Sequence, residues 1–212
     1  DWSSDVCSSD LQDDKEEVKM GKLIEQGSFQ AYADVRLNEA RSTINEYSLY
    51  TRKTTVFISH KHDELQDLKG VLGFLQKQYD VKVYIDSQDP SMPKITTAAT
   101  AANLKARIKK CDKFILLATN AAIDSKWCNW ELGYGDAQKF KAHIALFPLK
   151  PKGSYDYLYK GAEYLSLYPY ICYEDGTGKY DNGAYIQKGY YVVTPENGKL
   201  NYQTLAHWFL AR

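Results

Sequence analysis

Apolar and polar positions along the chain fall into two alternating patterns. Short runs of β-branched and aromatic residues are separated by longer segments with apolar residues at helical spacing. Thr54-Thr55-Val56-Phe57-Ile58-Ser59 is the first clear short run and predicts a buried strand. Residues 63 to 79 follow, with Leu65, Leu68, Val71, Leu72 and Leu75 on one helical face and Asp63 as the expected N-cap. Val81-Lys82-Val83-Tyr84-Ile85 predicts a second strand, residues 86 to 95 a loop holding Pro90 and Pro93, and residues 100 to 110 a helix. Lys113-Phe114-Ile115-Leu116-Leu117-Ala118 predicts a third strand. Residues 127 to 141 read as a helix that Gly133 and Gly135 weaken, and His143 to Pro148 as a fourth strand stopped by its proline. Strands apolar on both faces, alternating with helices, predict an α/β fold: a doubly wound parallel sheet covered on both sides.

The two ends read differently. Upstream, Val35, Ala40, Ile44 and Tyr47 recur at helical spacing, so residues 12 to 53 are expected to be a helical lead-in that opens on a solvated charge run at 12 to 19. Downstream of Pro151 the composition shifts, with twelve of the eighteen tyrosines in the last 62 residues. Asp175-Gly176, Asn182-Gly183 and Lys188-Gly189 are turn pairs. Residues 168 to 173 predict a fifth strand, 185 to 193 part of a hairpin, and 202 to 210 a closing helix. No linker-like stretch intervenes. Residues 174 to 212 are therefore expected to pack on the same sheet as a Tyr-rich β/α extension.

Composition narrows the function classes. The 212 residues are 44% hydrophobic and 25% charged, which excludes wholesale disorder. Lys+Arg and Asp+Glu number 27 each, so no excess charge favours nucleic acid or an anionic membrane. No apolar run approaches the roughly 20 residues of a membrane span. Cys7, Cys111, Cys128 and Cys172 show neither paired nor Cys/His ligand spacing, which disfavours zinc and a disulfide framework and fits a cytoplasmic setting.

Residues 1 to 11, DWSSDVCSSDL, cap and pair with nothing that follows. They resemble a stock sequencing-library primer translated in one frame, and are expected to be an artefact to set aside. Without Asp1, Asp5 and Asp10 the balance is 27 basic to 24 acidic residues, a net charge of +3. Met20 is one candidate for the natural start.

The common nucleotide and hydrolase motifs (GxxxxGK[ST], GxGxxG, HExxH, GxSxG) do not occur. Three loops carry the chemistry, and all fall at carboxyl ends of predicted strands: Ser59 to Asp63, Asp86 to Pro93, and Asn120 to Glu131. In an open doubly wound sheet the ligand crevice lies there.

Over residues 54 to 173 the chain resembles a Toll/interleukin-1 receptor (TIR) domain, a flavodoxin-like fold. Phe57-Ile58-Ser59-His60 matches the family's first box, and Asp86 to Pro93 sits where its long loop after the second strand lies. Ser125-Lys126-Trp127-Cys128-Asn129-Trp130-Glu131-Leu132 matches the S-[RK]-W-C-x-x-E-L pattern of enzymatic TIR domains. The resemblance implies an NAD⁺ glycohydrolase or cyclase, with NAD⁺ as substrate and neither cofactor nor metal. It implies Glu131 as the catalytic carboxylate and Trp127, one helical turn earlier on the same face, as a stacking residue. Expulsion of neutral nicotinamide needs no general acid, only stabilisation of an oxocarbenium-like ribose, which one carboxylate supplies electrostatically.

Ordinary readings stand beside these. A Glu one turn into a helix is by default solvated and favoured by the macrodipole; the motif instead makes Glu131 a helix-surface residue lining the crevice. Trp127 and Trp130 are by default core or interface aromatics, and Cys128 a small buried hydrophobe. Ser59 and His60 offer hydrogen bonds to phosphate or ribose, whereas a His60–His62 metal pair lacks a third ligand. Asp86, beside Ser87, is a ribose contact or a loop cap, and the sequence does not choose. The Asp86–Pro93 loop lacks the Arg-Asp start of many receptor-type TIR domains, which argues against an animal-style adaptor. The resemblance is to stand-alone bacterial TIR proteins that produce the signal in Thoeris-type anti-phage defence. It implies homo-oligomers through TIR–TIR contacts and a downstream effector that senses the nucleotide product. A non-catalytic interaction module is the competing reading. A flavodoxin-like phosphoacceptor is disfavoured, because Ser59-His60-Lys61-His62 replaces its acidic cluster.

Overall fold

The structure is a computed structural model describing residues 22–33, 53–85 and 97–211. Its strands are Ile24–Glu25 (β1), Thr55–Ser59 (β2), Lys82–Tyr84 (β3), Lys113–Thr119 (β4), Ile144–Lys150 (β5), Tyr170–Glu174 (β6), Gly189–Glu196 (β7) and Lys199–Thr204 (β8). Its α-helices are Leu65–Tyr79 (α1), Ala98–Lys110 (α2), Asn120–Ile123 (α3), Lys126–Gln138 (α4), Ala162–Leu167 (α5) and Leu205–Leu210 (α6). Every residue of β2 and β4 is buried, as a sheet covered on both faces requires. The order is β3-β2-β4-β5-β6-β7-β8, parallel as far as β6 and antiparallel beyond it. The expected doubly wound α/β sheet is present, and β7 and β8 continue it.

Side-chain alternation divides the core in two. Val56 and Ile58 of β2 pack with α1 and with Leu205, Trp208 and Phe209 of α6. Phe57 packs on the other face with Leu104 and Ile108 of α2, Cys128 and Leu132 of α4 and Leu165 of α5. Phe57 lies between Phe114 and Tyr84, with ring centroids 5.5 Å away on each side. Stacked pairs of this kind add about 0.5–1.5 kcal/mol beyond burial alone.

Several local expectations are corrected. Residues 22–33 do not begin a helix: β1 pairs with the end of β5 through Ile24–Leu149, and a 3₁₀ turn follows at Gln30–Tyr32. Phe29 then packs beneath α1, where Gly70 allows the close approach. The cap of α1 is Glu64, not Asp63, and its side chain makes no capping bond. β5 runs through Pro148 to Lys150. Its register explains why: Leu146 N–H donates toward β6, at the Pro169 carbonyl, and Pro148, two residues on, faces the same side. β6 pairs with β5 only at Leu146–Tyr170, and β1 takes up that side at Leu149, so the missing N–H falls in the gap. The C-terminal hairpin turns at Asn197-Gly198, both at positive φ, and Tyr202 to Thr204 belong to β8, not to the closing helix. Segment 1–11, the charge run at 12–19, Val35, Ala40, Ile44, Tyr47 and the Asp86–Pro93 loop lie outside the described residues.

Candidate active site

The end of β2 and the start of α4 meet at the carboxyl edge of the sheet. Ser125 caps α4 by accepting the Cys128 N–H at 3.4 Å. Cys128 and Leu132 anchor the inner face of the helix in the core. Gly135 explains a glycine in mid-helix: a Cβ there would lie 3.1 Å from the Phe114 ring, so its absence lets α4 settle on β4. Gly133 faces open space. Asn129 fixes the helix rotation, donating to the Ile123 carbonyl at 2.9 Å and accepting the Tyr164 hydroxyl at 3.1 Å.

These contacts aim Glu131 at β2. The Ser59 hydroxyl donates to Glu131 Oε2 at 2.5 Å, and the two residues are 1% and 2% exposed. Glu131 is thus buried and not at the helix surface, which also removes the solvated reading. His60, the next residue along, is buried, its ring 5.4 Å from that of His62. Among the described residues, no group of three or more His, Cys, Asp or Glu side chains is arranged to hold a metal.

Trp127 is half-buried, and its indole stacks on Trp130 with centroids 4.9 Å apart and planes at 22°. Trp130 stacks in turn on Tyr134, at 6.1 Å and 15°. Lys105 Nζ of α2 lies 5.7 Å from the Trp130 ring and 5.4 Å from the Tyr134 ring. The structure therefore brings Ser59 and Glu131 together, with His60 next along from Ser59 and Trp127 one turn before Glu131 on α4. Asp86 and Ser87 lie outside the described residues.

A second carboxylate at this edge was not singled out by its sequence. Glu64 accepts a hydrogen bond from Thr119, and the Thr119 hydroxyl oxygen caps α3 by accepting the Ala122 N–H at 3.0 Å. Burial raises the Glu64 pKa above the ordinary carboxylate range, and the Thr119 bond partly offsets this. Gln26 bridges Glu64 and Asp67, and the Gly27 N–H donates to Asp67 at 2.7 Å, which ties β1 to α1. Nothing local marks Glu64 in the sequence. The Trp127, Trp130, Tyr134 spacing of three and four, by contrast, is a readable helical stripe. A concavity of about 550 Å³, lined by Tyr180, Tyr185, Tyr191, Tyr202 and His207, lies at the β8 end of the sheet, with four strands between β2 and β8.

A sheet parallel through its first five strands, with a buried Ser–Glu pair at its carboxyl edge, fits a TIR domain. The family model described as TIR domain matches residues 56–181, and the chain belongs to that family. It is 32% identical over 140 residues to a probable 3′ cyclic ADP-D-ribose synthase, ThsB′, of Bacillus cereus (strain MSX-D12). That alignment covers 63% of this chain and 70% of the relative.

Proposed function

We propose that the protein cleaves the nicotinamide–ribose bond of NAD⁺ and releases ADP-ribose or a cyclic ADP-ribose as a signal in prokaryotic immunity. The observation that carries this reading is the buried Ser59–Glu131 pair, with Trp127 one turn before Glu131 on the same helix. A carboxylate held out of water, with its orientation set by a donor, is preorganised for positive charge developing on a ribose. The likeness to a probable 3′ cyclic ADP-D-ribose synthase supports the same chemistry.

The pyridinium ring stacks on Trp127, and the C1–N bond breaks with its electron pair leaving on neutral nicotinamide. Glu131 stabilises the oxocarbenium-like ribose. Ser59 holds the carboxylate, while His60, Asp86 and Ser87 contact ribose or phosphate. Capture by water gives ADP-ribose. Capture by a hydroxyl of the same molecule gives a cyclic product, lighter by one water, so product mass separates hydrolase from cyclase.

The protein acts in the cytoplasm as a homo-oligomer, and a separate effector senses its product. No helix among the described residues is long and apolar enough to cross a membrane. The test is incubation of the full chain with NAD⁺, with nicotinamide release and product masses followed across a hundredfold range of protein concentration. Nicotinamide release that grows per subunit with concentration is expected. No release at any concentration overturns the enzyme reading in favour of an interaction module, and a constant rate per subunit overturns the dependence on assembly.

A further inference from the structure

The aromatic stripe on α4 extends beyond the matched motif. Trp130 occupies one of the motif's variable positions, yet it makes the closest ring contact of the group. It lies between Trp127 at 4.9 Å and Tyr134 at 6.1 Å, with interplanar angles of 22° and 15°. Trp127, Trp130 and Tyr134 are all half-buried and lean on the apolar cluster that contains Leu104 and Ile108 of α2. Lys105, between those two residues in sequence, brings its ammonium over Trp130 and Tyr134. The stack is thus braced from a second helix.

An indole has two faces. With one side of Trp127 set against Trp130 and the residue only half-buried, part of the indole stays open to a ligand ring. A side chain in the first turn of a helix ordinarily samples several rotamers, and fixing one on binding lowers affinity. We propose that Trp130, backed by Tyr134 and Lys105, is a positioning residue that holds the Trp127 indole ready for the substrate's pyridinium ring. This rests on the NAD⁺ reading above, and deepens it by assigning part of substrate affinity to a residue that touches no substrate. The benefit falls on KM, because orientation of Trp127 is set before the bond breaks.

The test uses the full chain with Trp130→Ala, Trp130→Leu and Trp130→Phe, measuring kcat, KM for NAD⁺ and melting temperature for each. An aromatic contact of this kind is worth roughly three- to tenfold in an equilibrium. Trp130→Ala and Trp130→Leu are expected to raise KM by about that factor, with the effect on kcat much smaller. Trp130→Phe, which can still stack, restores most of it. The Trp–Trp exciton couplet in circular dichroism disappears in all three variants, so rescue by Phe follows the stacking and not the couplet. An unchanged KM in a folded Trp130→Ala, or equal losses in the Phe and Ala variants, overturns the proposal. A fall in kcat that tracks melting temperature does so too, since it would mark a purely structural role. Failure of the NAD⁺ reading itself is separate: it shows as no nicotinamide release by the wild-type chain at any concentration, whatever the Trp130 variants do.

Discussion

The Ser59 hydroxyl and the Glu131 carboxylate meet at 2.5 Å across 72 positions of sequence, both out of contact with solvent. A carboxylate buried this far is costly unless its charge is held by donors, and Ser59 is one. The β2–β4 register places Ser59 opposite Leu116, just below the turn that leads through α3 into α4. The sheet thus supplies the donor and the helix the acceptor.

Glu131→Gln keeps the shape and can still accept from Ser59, but carries no charge. Loss of a preorganised electrostatic contact typically lowers turnover about a hundredfold to a thousandfold. Folding should survive, because the variant also removes a desolvated charge from the interior. The measurement is nicotinamide release beside melting curves. Turnover near wild type in a folded variant would remove the catalytic role.

Ser59→Ala tests the other half of the pair. It leaves the Glu131 carboxylate buried without this donor, a loss worth about 1.5–3 kcal/mol for a hydrogen bond to a charged group. Stability should fall by that order and turnover with it, whereas Ser59→Thr keeps the hydroxyl and should recover part of both. Denaturant melts of the two variants check the order. Equal stability of Ala and wild type would mean that other contacts hold the carboxylate.

The sheet was legible in the sequence because β2, β4 and β5 are continuous apolar runs, a pattern that fully buried strands impose directly. The position of Glu131 on α4 was legible too. Its burial was not, because the residues that enclose it come from distant strands and helices. Pro148 misled for a related reason: a proline ends a strand only where its missing N–H is needed, and that depends on neighbouring strands. β1 was hidden because two residues, Ile24 and Glu25, carry no periodicity. Asn197-Gly198 was the better turn signal in the C-terminal hairpin, since both residues adopt positive φ.

Gly70 tests whether residues 22–33 belong to the folded unit. In an exposed helix, Gly→Ala gains about 1 kcal/mol. At this position in α1 the new Cβ would come within 2.7 Å of the Phe29 carbonyl oxygen, which is backbone and cannot swing away. Gly70→Ala should therefore destabilise, by about 1–3 kcal/mol as for other overpacked sites. In a chain that begins at residue 34 the clash is gone, and the same substitution should turn neutral or stabilising. Destabilisation of equal size in both backgrounds would show that Phe29 does not pack there.

Lys113 provides a pH test at the opposite end of β4. Its side chain is fully buried, with Nζ 3.0 Å from His143 Nδ1 and 4.8 Å from the centre of the Trp208 ring. Burial lowers its pKa from 10.5 to about 8, Asp112 acting against the shift and Lys139 with it. His143 is also lowered, chiefly by burial and then by Lys113 and Lys139. For a lysine the sign is fixed: below pH 8 the folded state holds an unfavourable buried cation. Between about 8 and 10.5 the unfolded chain keeps the proton that the folded one has released, so stability rises with pH until that cost is gone. Lys113→Met removes the titration while filling a similar volume. It should stabilise by on the order of 1 kcal/mol at neutral pH, since replacing buried charge with a well-packed apolar group is often favourable. The gain over wild type should then shrink as pH climbs past 8. Cys111 and Cys172, both pushed up to about 12 by burial, titrate alike in the two proteins and cancel in the difference. Denaturant titrations of wild type and variant from pH 6 to 10 measure that difference. A gain independent of pH would mean that Lys113 is already neutral, or equally charged in both states.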